Sequence, residues 1–292
     1  MISANEQHDV EYNVRAHRRR SLTSNLAIVA LIFLMIWPFL YIFVSSFKPL
    51  AEIMSRVRLL PQDATLSNYE TLLFARTPLR DFPRIILNTV IVALSTAFFT
   101  VVISSMASYA IARDRKLSSG MISKALLFIY VFPTIILVVP IYQMLVRLGF
   151  WDSFASLILV YTALASPFCT WLLISFFQSV PKQLEESAQI DGAGAFTIFF
   201  RIVLPLAVPG IVTVAMYAFI TAWGEYLFAL VLINSSRLKT AALGLASFTA
   251  EQYIEWGPLL AGSILIMVPV FILFLPIART FIKGFMAGAL KA

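Results

Sequence analysis

PKQLEESAQIDGAGAFTIFFRIVLPLAVPG, Pro181–Gly210, is the stretch on which the reading of this chain turns. Lys182 to Gln189 are good helix formers, and Leu184 and Ala188 recur at the i, i+4 spacing of one helix face. Pro181 suits a first helical turn. Glu185 and Glu186 follow near the N-terminus, where the helix macrodipole favours negative charge. Gly192 and Gly194 break the run, and Phe196, Ile198, Phe199 and Phe200 restart an apolar helix. The segment reads as a short helix, a small-residue turn and a second helix, lying at a membrane surface. It has two uses open to it: a plain linker, or a docking knob that offers a few acids to a basic partner.

Its flanks set the class. Upstream, Ser153–Val180 holds no Asp, Glu, Lys or Arg; downstream, Ile202–Ser236 holds only Glu225. Further uncharged runs are Asn25–Phe47, Ile85–Ala112, Ala125–Val146 and Gly257–Ala278. A helix needs about 20 apolar residues to cross the hydrocarbon layer. Lipid-exposed irregular backbone is not viable, so these runs must be helices. The expectation is an all-α membrane protein of six transmembrane helices, with both termini on one side. Asn25–Phe47 is too long for a signal-peptide core of roughly 7–15 residues, and reads as an uncleaved anchor. The domain reading is a tail over 1–24, a membrane domain over 25–280 that includes the loop 181–201, and a tail over 281–292.

The composition agrees. The 292 residues are 60% hydrophobic and 13% charged, against about 45–50% and about 25% in soluble domains. With one cysteine (Cys169) and two histidines (His8, His17), there is no material for a disulfide, a His/Cys metal cluster or a His-based triad. The net charge is +7. In a membrane chain such charge collects in cytoplasmic loops, so a nucleic-acid partner is not expected; the bilayer is. A cytoplasmic N-terminus puts thirteen Lys and Arg inside and nine outside, with the clusters RAHRRR and RDRK both inside. The outer loop Lys48–Arg84 is proline-rich and reads as ordered, with a short helix at Leu66–Phe74.

The residues then match a known pattern. Glu186-Ser187-Ala188, three residues, Gly192, nine residues, Ile202, one residue and Leu204-Pro205 resembles the EAA loop of ABC-importer permeases. LEESAQIDGA followed by PLAVPG is similar to the carbohydrate-uptake permeases, and within them to the maltose-permease-like second subunit. FITAWGEYLFAL (Phe219–Leu230) and GFMAGALKA (Gly284–Ala292) support the likeness, which covers the chain from about Asn25 to Ala292. Ser187 departs from the usual first alanine of the motif, and Ala292 from the common terminal glycine.

The resemblance implies the type I ABC-importer permease fold in a bacterial cytoplasmic membrane, with both termini cytoplasmic. It implies that Glu185, Glu186, Ser187, Ala188, Asp191, Gly192 and Ala193 form a coupling helix seated in a cleft of an ATPase dimer. Glu186 would pair with an arginine there, Gly192 would turn the backbone with φ > 0, and Asp191 would cap the next helix or bond the turn. It also implies a second, related permease and an extracytoplasmic solute-binding protein. No glycine is followed by lysine, so the chain carries no P-loop; the chain itself would bind no cofactor, and ATP and magnesium would lie on the partner ATPase.

Other residues are candidates for the pathway. Glu225, beside Trp223 and Tyr226, is an acid within an apolar run, and such acids are functional hypotheses by default. It could bond a sugar hydroxyl while the aromatics stack, or it could tie helices together. Asn88 and Gln143 carry the same pair of readings. By resemblance, Glu251, Gln252 and Tyr253 in the last outer loop are candidates for reaching into the binding protein; a solvated loop is the alternative. A secondary transporter would need coupling-ion acids in the spans, where Glu225 stands alone, and a membrane enzyme would need paired acids or His and Cys ligands. Cargo choices that keep the machinery are sugars, glycerol-phosphate esters, polyols or sulfonated sugars.

Overall fold

Proline decides where the apolar runs stay straight and where they break. The computed structural model describes residues 4–55, 58–74, 81–114, 120–249 and 254–289, with the backbone alone at 4–23 and 276–289. Fourteen α-helices lie among the described residues: α1 (Ala4–Ser45), α2 (Leu50–Ile53), α3 (Ser67–Phe74), α4 (Phe82–Arg113), α5 (Met121–Val131), α6 (Thr134–Arg147), α7 (Phe154–Ser179), α8 (Lys182–Ile190), α9 (Ala195–Ile198), α10 (Leu204–Leu206), α11 (Val208–Trp223), α12 (Leu227–Leu232), α13 (Ala241–Ala246) and α14 (Trp256–Ala289). α1 passes without a break through the expected boundary at residue 24. α3 falls within a residue of the helix expected in the first outer loop.

Four segments are long and apolar enough to cross a membrane: Ser24–Ser45 in α1, α4, α7, and Trp256–Leu275 in α14. Two more exist only as bent pairs, α5 with α6 at 87° and Ala195–Leu206 with α11 at 81°. Six crossings result if each bent pair counts as one. The reading of Ala125–Val146 as one helix is therefore corrected. Pro133 supplies no N–H to continue α5, and Phe132 before it is extended at φ −62°, ψ 130°, as residues preceding proline tend to be. Ile202–Ser236 is corrected in the same way. A π-turn (Phe199–Val203) leads into α10, Pro205 and Pro209 each open a new helix, and α11 stops at Trp223.

The core is α4, α7 and α11, which pack side by side. Between apolar helices in lipid the attraction is close van der Waals fit rather than escape from water, so small residues mark the contacts. Ala93, Ala165, Ala218 and Ala222 are all buried there. Gly210 is the tightest point: a Cβ on it would stand 2.5 Å from the Phe176 ring. At the end of the bundle far from α8, Asn88 donates its amide nitrogen to the carbonyls of Arg237 and Lys239, both at 2.9 Å. Thr89 next to it accepts from the Ala241 N–H at 2.7 Å. These bonds hold the segment before α13 against α4. At the other end, α4, the end of α7 and the start of α9 converge on α8.

Candidate functional site

α8 follows Pro181 at its N-cap and ends in a backbone lock. The Ala193 N–H bonds the Ala188 carbonyl at 2.9 Å, and the Gly192 N–H bonds the Gln189 carbonyl at 3.0 Å. This is a Schellman closure, which requires a left-handed residue just past the helix. Gly192 supplies it at φ +84°, as expected of the turn glycine. Asp191 does not cap the next helix. It is the C-cap of α8, and Gly194 occupies the N-cap of α9. The closure uses main-chain groups alone and leaves Asp191 exposed.

The two adjacent glutamates separate. Glu186 is exposed, with Ser187 and Gln189 beside it. Glu185 is only 6% exposed, so it is not among the acids available at the surface. Its carboxylate accepts from the Tyr109 hydroxyl at 2.7 Å and from Arg113 Nε at 2.6 Å, and pairs with the second arm of the same guanidinium. Arg113 also donates to the Val180 carbonyl at 3.2 Å and lies over the Tyr109 ring. α8 is thereby tied to the ends of both α4 and α7. Ala188 and Ala193 turn inward against the core. Ile190 and Phe196, at 87% and 75% exposed, project as apolar knobs on the outer face. The motif thus has an inward half (Glu185, Ala188, Ala193) and an outward half (Glu186, Ser187, Asp191, Gly192).

The expected pathway residues do not form one surface. Trp223 is buried, stacks on Phe219 at 5.2 Å and donates its indole N–H to the Ile266 carbonyl at 3.2 Å. Asn88 is buried and serves the tie already described. Glu225 is not inside a helix. It follows Gly224, which ends α11, and accepts from the Tyr161 hydroxyl at 2.6 Å and from the N–H groups of Phe228 and Ala229 at 3.0 and 3.2 Å. Those donors are the first-turn amides that a new helix leaves without partners, so the carboxylate starts α12 and holds it to α7. Tyr226 is half-buried, and Gln143 is exposed on α6. Glu251, Gln252 and Tyr253 lie outside the described residues.

Residues 103–283 match the family model of the binding-protein-dependent transport system inner membrane component. The chain belongs to this family. It is 34% identical over 257 residues to the sulfoquinovosyl glycerol transport system permease of Agrobacterium fabrum, covering 88% of this chain and 89% of that one. It is also 34% identical over 256 residues to the trehalose transport system permease of Mycobacterium tuberculosis, covering 87% and 92%. Among solved structures, a bacterial ABC transporter that imports the acidic polysaccharide alginate superposes with a TM-score of 0.76 at 21% identity, over 91% of this chain and 98% of that chain. That likeness concerns the fold, and the fold is that of an importer permease.

For this inner-membrane component, sequence reasoning missed Arg113 and Tyr109. Arg113 was counted only among the charges that set orientation. The signal available was the i, i+4 spacing of Tyr109 and Arg113 at the end of an apolar run. Nothing in the sequence says that the carboxylate they meet lies more than seventy residues on.

Proposed function

We propose that this permease is one membrane subunit of an ATP-driven importer for a carbohydrate or sugar derivative, and that α8 is its coupling helix. The observation that carries the reading is the two-sided construction of α8. Its inner side is bonded into the membrane bundle, while Glu186, Ser187 and Ile190 stand free on the other. A docking element must grip a partner and also pull on its own chain, and a linker needs neither. In this reading the ATPase dimer holds ATP and magnesium and grips α8, and a second, related permease completes the pathway. A binding protein delivers cargo, a role that the family's dependence on one supports. Sugar cargo is supported by the trehalose relative, and the sulfoquinovosyl glycerol relative favours a second version with an anionic sugar derivative.

The test is co-purification in mild detergent of the chain tagged at its N-terminus. A P-loop ATPase and a second polytopic permease should come with it. Glu186→Lys should release the ATPase and keep the permease. Gly192→Asp should abolish uptake while the chain still inserts. A chain that emerges alone or as a homodimer, under conditions that hold a known importer together, defeats the reading.

A further inference from the structure

Most of the expected pathway residues are engaged in internal ties, yet another polar surface in the middle of the membrane is open. Phe168 stands at about the midpoint of α7. Its ring centre lies 4.8 Å from Tyr130 of α5, 4.5 Å from Tyr217 of α11 and 5.8 Å from Trp171 of its own helix. The ring centres of Tyr130 and Tyr217 are 6.5 Å apart. Tyr130 is 41% exposed, and the other three rings are half-buried. Tyr130 is also the last residue but one of α5, immediately before the break at Phe132–Pro133.

Lipid is a poor neighbour for this surface. A broken helix at membrane depth leaves main-chain groups without helical partners, and hydrocarbon cannot satisfy them. Such breaks are tolerated where protein or water meets them. Phenolic hydroxyls at the same depth point the same way, since each has a polar end to satisfy. What remains is a shelf of four rings with apolar faces, two of which, Tyr130 and Tyr217, carry a hydroxyl at the edge and one, Trp171, an indole N–H. A sugar ring has the matching pattern: C–H groups on its faces and hydroxyls around its rim. Aromatic side chains with a few placed polar groups are what small-molecule sites are lined with.

We propose that Tyr130, Phe168, Trp171 and Tyr217 form this chain's contact surface for the saccharide in transit. The proposal rests on the importer reading above and adds where the cargo touches this subunit. Stacking keeps a polar solute in weak, sequence-tolerant contact at mid-membrane, which favours passage over retention.

The test uses membrane vesicles, right-side-out and inverted, carrying the complete importer. Cysteine is placed at Tyr130, and at Phe98 on α4 (63% exposed) as a lipid-facing control. Native Cys169 is fully buried, so the unmodified chain gives the background. A charged thiol reagent that cannot cross the bilayer should label Tyr130→Cys many-fold faster than Phe98→Cys from at least one side. Equal, slow labelling of both overturns the proposal, because the shelf is then covered by lipid or by the partner's helices. A second arm measures uptake of radiolabelled trehalose with ATP hydrolysis in parallel. Tyr130→Ala and Phe168→Leu should lower maximal uptake roughly threefold to tenfold, as loss of one stacking contact implies. Half-saturation, set by the binding protein, should not move, and hydrolysis should persist. Unchanged uptake in both variants overturns the proposal. A wild-type importer that moves neither trehalose nor sulfoquinovosyl glycerol nor any other saccharide tells against the sugar reading itself, and the labelling arm still decides the shelf.

Discussion

Glu185 and Glu186 are neighbours in sequence and face opposite ways, so removing each charge has a different consequence. Glu185→Gln leaves the Arg113 guanidinium facing a weaker acceptor inside the protein. Breaking a fully buried pair costs roughly 3–5 kcal/mol, and here the partial exposure of Arg113 brings the expectation to about 2 kcal/mol. The unfolding midpoint of the purified complex should fall, and the exchange Glu185→Arg with Arg113→Glu should recover part of the loss. Glu186→Gln removes an exposed charge, so stability should stay within about 0.5 kcal/mol while uptake collapses. The two variants measured side by side separate holding the chain together from gripping a partner. Gly192→Ala makes a third comparison. A Cβ there meets nothing within 4 Å, so the chain itself feels only the left-handed backbone penalty of roughly 1–2 kcal/mol. If α8 is the coupling helix proposed above, a larger effect on uptake comes from its docking.

At the scale of elements, α7 and α11 meet where Gly210 lets Phe176 close in. Gly210→Ala should lower the unfolding midpoint by the equivalent of about 1–3 kcal/mol, the usual cost of overpacking. Phe176→Leu in the same chain should restore part of it. The elements were legible wherever hydrophobicity alone specifies them. α7 follows its uncharged run to within a residue, α4 and the membrane part of α14 follow theirs to within three, and α3 was visible within its loop. The breaks were harder. Pro133, Pro140, Pro205 and Pro209 all lie in apolar runs, yet Pro140 stays inside α6 while Pro133 begins it. A proline states only that one N–H is missing. Whether the helix absorbs the loss or turns through 87° depends on which neighbours accept the freed groups. Glu225 shows the same limit. Its intramembrane acid was plain from the sequence, but the tyrosine and two amides it serves became visible only with α7 and α12 in place.

For the whole molecule, the fold class and the helix–turn–helix around Gly192 could be read from the chain, and the partition of that segment into inward and outward halves could not. The partition depends on Tyr109 and Arg113, which only folding brings to α8. The molecule also presents an unpacked flank: from Leu26 to Phe39 the side chains of α1 are exposed, a stretch suited to lipid or to another permease. The charge asymmetry predicts that α8 and the first long loop lie on opposite sides of the membrane. Ser187→Cys and Gln62→Cys, both exposed positions, should react with an impermeant thiol reagent from opposite faces of sealed vesicles. Labelling from the same face would contradict the three crossings between the two positions, and labelling with the faces exchanged would reverse the orientation.

The spacing between Val180 and Glu185 has a consequence for how such a protein can change over time. One residue added or lost between the Arg113–Val180 contact and α8 would rotate every later side chain of that helix by about 100°. Glu186 or Leu184 would then enter the seat that Glu185 fills, and the outward half would be carried round the helix with it. Point substitutions can retune the outward face one contact at a time, whereas a single-codon insertion or deletion breaks the Glu185 anchor and displaces the outward face together. Lineages of this permease should therefore vary α8 in letters and hold it constant in length.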